Sequence, residues 1–191
     1  IDGLNRYNDE PCLFLGDKVA SYRDVRESAS QMVQALKSKG LGVGSRVAVI
    51  SANRPEVLSN IAAMQLTGCI GTPLHPLGSL DDHAYVLQAA EIDTLIYDAS
   101  VFEDLAGALK QRVPALKNLL GFGPTKVGDD YLALAATFKP QPLVAPDITP
   151  DDIGSVNFTG GTTGKPKGVM STYSVTAYMT QIQLAEWEFP D

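Results

Sequence analysis

A ten-residue stretch near the end of the chain concentrates the residue types that bind phosphate. It contains four glycines, three threonines and two lysines, and we call it the glycine-rich loop. Its residues are Thr159, Gly160, Gly161, Thr162, Thr163, Gly164, Lys165, Pro166, Lys167 and Gly168. Glycine lets backbone N–H groups turn toward an anion, threonine adds hydroxyl donors, and lysine adds positive charge. Apolar residues at 153, 156 and 158 precede the loop, so the pattern predicts a strand that leads into a phosphate-binding loop.

The spacing within this loop excludes the commonest phosphate loop of nucleotide hydrolases. A Walker A motif requires a glycine, four further residues, and then Gly-Lys followed by serine or threonine. Here Thr159 occupies the position of the first glycine, and Pro166 occupies the position of the hydroxyl residue that would bind Mg²⁺. The chain is therefore not a P-loop nucleotide hydrolase.

The loop resembles the signature Thr-Ser-Gly-Thr-Thr-Gly-x-Pro-Lys-Gly of the acyl-adenylate-forming enzymes. This superfamily includes acyl- and aryl-CoA synthetases, the adenylation domains of peptide synthetases, and luciferases. Gly160 stands where the superfamily usually has serine, a variant that we associate with fatty-acyl-CoA synthetases. Two upstream segments resemble the same superfamily, namely residues 44–56 and the turn at residues 73–77, in which His75 replaces a usual asparagine. A surface loop with accidental lysines is the alternative interpretation.

The resemblance implies a site and a reaction. The implied phosphate-binding residues are Thr159, Gly160, Gly161, Thr162, Thr163, Gly164, Lys165, Lys167 and Gly168. They would surround the β- and γ-phosphates of ATP, with the two lysines offsetting phosphate charge. The implied substrates and cofactors are a fatty or aromatic carboxylic acid, ATP, Mg²⁺ and CoA. Residues 1–191 would form the N-terminal portion of the AMP-binding domain, without the C-terminal domain.

The resemblance implies no catalytic residue and no metal ligand in these 191 residues, because the later motifs of the superfamily do not occur in them. The parent enzyme would be an acid–thiol ligase, and we expect the fragment alone to be inactive. Two alternatives remain open. One is a fragment of a peptide-synthetase adenylation domain, and the other is a non-catalytic α/β module that binds phosphate or a protein.

Composition narrows the class of protein further. The 191 residues are 45% hydrophobic and carry a net charge of −7, so attraction to nucleic acid is not expected. The longest uncharged segment, residues 57–80, is interrupted by prolines and glycines and does not predict a membrane span. No signal peptide is recognisable, and we expect a cytoplasmic protein.

A truncated sheet would expose an edge or an apolar face, so the fragment could self-associate.

The cysteines and histidines form no metal-binding pattern. Cys12 and Cys69 match no metal or redox spacing, and we expect both to be buried, reduced thiols. His75 follows a predicted strand, where a functional role is possible but a structural role is favoured. His83 lies within a predicted helix, where we expect it at the surface.

The remaining pattern alternates strands with helices, which predicts an α/β fold with a mostly parallel sheet flanked by helices. Capping boxes at Ser21 and Ser79, each with an aspartate three residues later, predict two helix starts. Asn53 is the predicted cap of another helix. After the glycine-rich loop, Thr172 is predicted to cap a last helix whose apolar face, at positions 178, 182 and 185, should pack against the core. Residues 140–150 are rich in proline and predict an extended connector.

Overall fold

A computed structural model describes residues 1–160 and 165–187 of the chain. The helices are α1 (Asp2–Arg6), α2 (Tyr22–Ser38), α3 (Pro55–Thr67), α4 (Leu80–Ala89), α5 (Ala99–Arg112), α6 (Tyr131–Ala136) and α7 (Tyr173–Glu186). The strands are β1 (Pro11–Leu15), β2 (Lys18–Ser21), β3 (Arg46–Ile50), β4 (Ile70–Pro73), β5 (Thr94–Tyr97), β6 (Asn118–Gly121), β7 (Asp129–Asp130), β8 (Ile153–Phe158) and β9 (Gly168–Thr172).

Seven of the strands form one sheet in the order β7-β6-β5-β3-β4-β8-β9. Every neighbouring pair from β7 to β8 is parallel, and only the β8–β9 pair is antiparallel. Parallel strands require crossover connections, which here contain helices α3, α4 and α5. The predicted α/β class with a mostly parallel sheet flanked by helices is confirmed.

Two hydrophobic clusters lie on opposite faces of this sheet. Strand β5 is buried along its whole length, and its side chains alternate between the two clusters. Leu95 and Tyr97 join the cluster that contains buried residues of α4 and α5. Ile96 joins the cluster that contains buried residues of α2, α3 and α6. Both faces of the sheet are therefore covered, as a parallel sheet requires.

The first two strands form a separate hairpin, with a tight turn at Gly16 and Asp17. Gly16 has φ +57, whereas Asp17 has no positive φ, which is the pattern expected for glycine at the first position of a type II′ turn. Helix α2 follows directly. Its capping box is complete, because Ser21 Oγ accepts from the Asp24 N–H and the Asp24 carboxylate accepts from the Ser21 N–H.

Helix α4 begins with the second predicted capping box, formed by Ser79 and Asp82. The predicted N-cap of α3 was wrong, because Arg54 and not Asn53 occupies that position. Arg54 has no side-chain cap bond, and Pro55 at the first helical position has no N–H to satisfy. The Arg54 guanidinium instead binds two carboxylates, as described below.

Three predictions about burial need correction. His83 was expected at the surface but is only 2% exposed, because α4 packs that face onto the sheet. Cys12 is half-buried rather than buried, since it lies in the peripheral hairpin, whereas Cys69 is buried and both thiols are free. The apolar face of α7 is not a core face: Tyr178 is 63% exposed, and no described residue of that helix is buried. No described helix is both long and apolar enough to cross a membrane.

The proline-rich connector lies against α2 as an extended segment without regular structure. Ser30 Oγ donates to the Gln141 carbonyl at 2.8 Å and accepts from the Gln141 N–H at 2.7 Å. Gln31 and Gln34 donate to backbone carbonyls at 138 and 139. These bonds hold the connector on the domain, so it is not a free linker between independent units.

Candidate active site

The glycine-rich loop connects the two strands of an antiparallel hairpin. Phe158 at the end of β8 lies opposite Gly168 at the start of β9. The Thr159 N–H donates to the Lys167 carbonyl at 3.0 Å, which extends the ladder by one bond. The base of the loop is therefore closed by backbone hydrogen bonds. This base lies at the carboxyl edge of the parallel strands, where ligands of open α/β sheets bind.

The predicted loop residues have different local environments. A Cβ on Gly168 would lie 3.0 Å from Val156 Cγ1 and 3.2 Å from Phe158 Cζ, so a glycine is favoured there by packing. A Cβ on Gly160 would meet no atom of the described residues within 4 Å, so this part of the structure leaves room for a serine at that position. Gly161, Thr162, Thr163 and Gly164 lie outside the described residues.

The two lysines of the loop are exposed. No ion pair of Lys165 or Lys167 occurs within residues 1–160 and 165–187. The Lys165 ammonium lies 5.4 Å from the centroid of the Tyr85 ring, a cation–π distance. Both positive charges are therefore available to an anion at the loop.

Tyr85 on α4 contacts the part of the loop that leads into β9, and sequence analysis did not identify this residue. Its hydroxyl donates to the Pro166 carbonyl at 3.1 Å. Its ring packs edge-to-face against Phe158, with 6.5 Å between ring centroids. An aromatic residue in an amphipathic helix usually indicates core packing, so the sequence contained no signal for this contact.

A cleft of about 480 Å³ lies beside the loop, between the β4–α4 turn and the end of β8. Its lining includes His75, Gly78, His83, Thr159 and Gly160. His75 is exposed, and its Nδ1 accepts from the Leu77 N–H at 3.2 Å. This local bond supports the structural role that the sequence favoured for His75.

An ion-pair cluster links the carboxyl ends of three other strands. The Arg54 Nη1 donates to the Asp98 Oδ1 at 2.9 Å and to the Phe122 carbonyl at 3.0 Å. Its Nε and Nη2 donate to the two carboxylate oxygens of Glu56 at 3.0 and 3.1 Å. These hydrogen bonds lower the pKa of Glu56, and they raise the pKa of Arg54. The cluster connects the ends of β3, β5 and β6 at the carboxyl edge of the sheet, where the base of the loop also lies.

No group of three or more histidine, cysteine, aspartate or glutamate side chains suited to a metal ion was found among the described residues. Consequently no residue in this part of the chain is assigned to a metal.

Comparison with known proteins identifies the family of this chain. The sequence profile of the AMP-binding enzymes matches residues 2–190. The chain belongs to the AMP-binding enzyme family. A medium/long-chain-fatty-acid–CoA ligase of Mycobacterium tuberculosis is 47% identical to this AMP-binding chain over 196 residues, covering 100% of the chain and 34% of that ligase.

Two further relatives of this AMP-binding chain are informative. Tyrocidine synthase 3 of Brevibacillus parabrevis is 25% identical over 158 residues, covering 83% of the chain and 2% of that protein. The crystal structure of an anthranilate CoA ligase in complex with anthranoyl-AMP matches with a TM-score of 0.84 and 25% identity. That match covers 94% of the chain and 36% of the ligase. The chain thus spans about a third of the length of the two ligases.

These findings confirm the resemblance and the fold. The assignment of individual loop residues to phosphate stays a prediction, as does the assignment of residues 1–191 to one portion of a larger domain.

Proposed function

We propose that this chain is the N-terminal part of an ATP-dependent acyl-CoA ligase. In the first step the substrate carboxylate attacks the α-phosphorus of ATP, which forms an acyl-adenylate and releases pyrophosphate. In the second step the CoA thiol attacks the acyl carbonyl, which forms a thioester and releases AMP. The observation that carries the proposal is the 47% identity to a fatty-acid–CoA ligase along the whole chain. A fatty acid is therefore the preferred substrate class, ahead of an aromatic acid.

The loop would orient pyrophosphate as the leaving group. Lys165 and Lys167 would offset the charge of the β- and γ-phosphates, because both ammonium groups are exposed next to the loop base. Backbone N–H groups of the glycines, together with the hydroxyls of Thr162 and Thr163, would complete the binding site. In this structure both donors of Thr159 point to the Lys167 carbonyl, so phosphate contact by Thr159 would require those bonds to open.

Mg²⁺ and CoA are part of the proposed reaction, but no described residue is assigned to them. The described residues also offer no acid–base pair or activated nucleophile. For these reasons we propose that residues 1–191 bind the polyphosphate but do not complete the reaction by themselves. Cytoplasmic location remains part of this proposal.

The test is carboxylate-dependent ATP–pyrophosphate exchange by the gene product at its natural length. We expect exchange with medium- and long-chain fatty acids. Thr163→Val and Lys167→Ala should each lower the exchange rate more than acyl binding. A hydrogen bond to a charged group contributes about 1.5–3 kcal/mol, which corresponds to about 13- to 160-fold in rate. Lys139→Ala is the matched control, since Lys139 is exposed and distant from the loop in sequence.

Equal exchange rates in Lys167→Ala, Thr163→Val and the unaltered protein would refute the assignment of the loop. Exchange that depends on an amino acid, together with a carrier domain downstream, would favour a peptide-synthetase adenylation domain. The similarity to tyrocidine synthase 3 is the observation that supports this second candidate.

A non-catalytic phosphate- or protein-binding module would show no exchange with any carboxylate. Calorimetry with ATP, with and without Mg²⁺, would then show whether the loop binds phosphate at all. Light scattering tests the proposed self-association, and a monomer at high protein concentration would argue against it.

A further inference from the structure

Tyr85 on α4 contacts residues at both ends of the glycine-rich loop. Its ring packs edge-to-face against Phe158, the residue directly before the loop. At the other end its hydroxyl donates to the Pro166 carbonyl at 3.1 Å, and the Lys165 ammonium lies 5.4 Å from its ring centroid. One side chain from outside the loop therefore connects the strand that enters the loop with the part that leads into β9.

The position of the Tyr85 ring is set by the core of the domain. Helix α4 begins at a fixed place, because its capping box at Ser79 is complete. The neighbours of Tyr85 along the helix, Ala84 and Val86, are both buried. The half-buried ring itself packs, as Phe158 does, against the hydrophobic cluster on this face of the sheet. Tyr85 is therefore a fixed support against which the loop can be ordered.

The part of the loop that Tyr85 contacts carries both lysines, and we call residues 165–167 the lysine segment. Pro166 has no N–H and cannot donate to a strand ladder, so its carbonyl is the backbone group that an outside residue can hold. A glycine-rich loop loses more conformational freedom than other segments when it becomes ordered. A contact that orders the loop beforehand lowers the cost of binding a ligand there.

Lys165 keeps its charge while it lies beside the Tyr85 ring. The side chain is exposed, and an aromatic ring attracts a nearby ammonium group without neutralising it. At an exposed site this attraction corresponds to about two- to fivefold in an equilibrium constant. The ring can therefore orient the ammonium group, and a phosphate can still bind it because charge-assisted bonds are stronger.

We propose that Tyr85 is a positioning residue that orders the lysine segment before the polyphosphate binds. Its hydroxyl holds the backbone at Pro166, and its ring holds the ammonium group of Lys165. Tyr85 acts through these two residues and does not itself contact the phosphate. This inference rests on the proposed function, because that function supplies the polyphosphate.

The experiment measures kcat and KM in ATP–pyrophosphate exchange with a fatty acid, using the gene product at its natural length. Tyr85→Phe keeps the ring and removes the hydroxyl, and it should lower kcat/KM for ATP about fivefold, with KM for the fatty acid unchanged. Tyr85→Leu removes both contacts and should lower kcat/KM for ATP about 10- to 25-fold. Tyr7→Leu is the matched control, since Tyr7 is an exposed tyrosine at the end of α1.

A double-mutant cycle with Lys165→Ala tests whether the ring acts through the lysine. With Lys165 present, Tyr85→Leu should be about two- to fivefold slower than Tyr85→Phe. In the Lys165→Ala background this difference should largely disappear, whereas the loss caused by Tyr85→Phe should persist. A difference of the same size in both backgrounds would show that the ring only packs against the core, and it would overturn the proposal.

Limited digestion with trypsin gives a readout that requires no catalysis. Cleavage after Lys167 depends on how often the lysine segment leaves its support, so Tyr85→Phe should accelerate it about fivefold. Cleavage after Lys18, which follows the β1–β2 turn, is the internal control and should not change. Equal rates of cleavage after Lys167 in Tyr85→Phe and in the unaltered protein would overturn the proposal.

The exchange assay separates this inference from the proposed function. If the unaltered protein exchanges with a fatty acid and Tyr85→Phe does so with the same kcat/KM for ATP, the inference fails alone. If no carboxylate supports exchange by the unaltered protein, the proposed function fails, and the inference fails with it.

Discussion

Removing the guanidinium of Arg54 should destabilise the protein far more than removing a typical surface arginine. Arg54 retains 20% of its side-chain exposure, and its partner Asp98 retains only 5%. Asp98 also accepts from the N–H and hydroxyl of Ser100 at the start of α5. In Arg54→Met the Asp98 carboxylate would keep these two bonds but lose its counter-charge in a buried position.

The expected cost follows from this burial. Breaking a buried ion pair by removing one partner costs about 3–5 kcal/mol, and because Arg54 is partly exposed we expect about 3 kcal/mol. For a chain of this length each 1 kcal/mol lowers Tm by about 2–4 °C, so Tm should fall by about 6–12 °C. The assay is urea unfolding, with thermal unfolding as a second measurement.

The matched control is Arg23→Met. Arg23 pairs with Asp9 at 2.6 Å, but the two side chains are 45% and 70% exposed, so the pair should contribute about 0–1 kcal/mol. Adding Asp98→Asn to Arg54→Met should recover part of the loss, because asparagine still caps α5 without a buried charge. If Arg54→Met costs no more than Arg23→Met, the reasoning from burial is refuted.

The stability difference should also depend on pH. The hydrogen bonds from Arg54 lower the pKa of Glu56 below its ordinary value of 4.5. A carboxylate with a lowered folded pKa contributes stability above its unfolded pKa and loses that contribution as pH falls through the folded pKa. The gap between the unaltered protein and Arg54→Met should therefore narrow below about pH 4.5. A gap that widens on acidification would contradict this sign.

Three other predictions concern the loop anchor, the thiols and one turn. Tyr85→Phe removes the hydroxyl that donates to the loop backbone at 3.1 Å, and it should lower pyrophosphate exchange about fivefold, with Tm nearly unchanged. Burial raises the pKa of Cys69 to about 12, so iodoacetamide at pH 8 should label Cys12 first, as read by mass spectrometry; equal labelling would contradict this. Gly128→Ala should lower the free energy of unfolding in urea by about 2 kcal/mol or more, since Gly128 has φ +92 and lies against β6. Gly42→Ala is the control and should lower it less, because a Cβ on Gly42 meets no described atom within 4 Å.

Local patterns in the sequence were sufficient for the fold class and for the starts of helices α2, α4 and α7. The capping boxes at Ser21 and Ser79 predicted helix starts because both partners lie within four residues of each other. The alternation of strands with helices predicted a parallel sheet covered by helices, and β5 is accordingly buried along its whole length. Such signals depend only on neighbouring residues, so a single sequence is enough to read them.

The order of the strands could not be predicted, because it depends on contacts between distant residues. The β3 strand lies between β4 and β5, and the chain reaches β8 only after returning past four other strands. Nothing in the composition of these short apolar strands distinguishes one neighbour from another.

The errors at His83 and α7 have related causes. A histidine in an amphipathic helix suggests a surface position. The ring of His83 instead fits into the space that Gly78, five residues earlier, leaves open, and the pattern of the helix does not show this contact. The apolar face of α7 predicts burial, but the described residues place no element over it. In both cases the outcome depends on what lies opposite the side chain, which a pattern within one helix does not contain.

The attachment of the β8–β9 hairpin to the rest of the sheet has a consequence for motion. Strand β8 pairs with β4 at one position, Gly71 opposite Ser155, whereas β3 pairs with each of its neighbours at four positions. Within the hairpin β8 and β9 are paired at five positions. The hairpin should therefore open from the sheet as one cooperative unit and carry both lysines of the loop with it. Its amides should exchange with solvent hydrogen together, and faster than those of β3 and β5; slower exchange would show that the attachment is stronger than its pairing indicates.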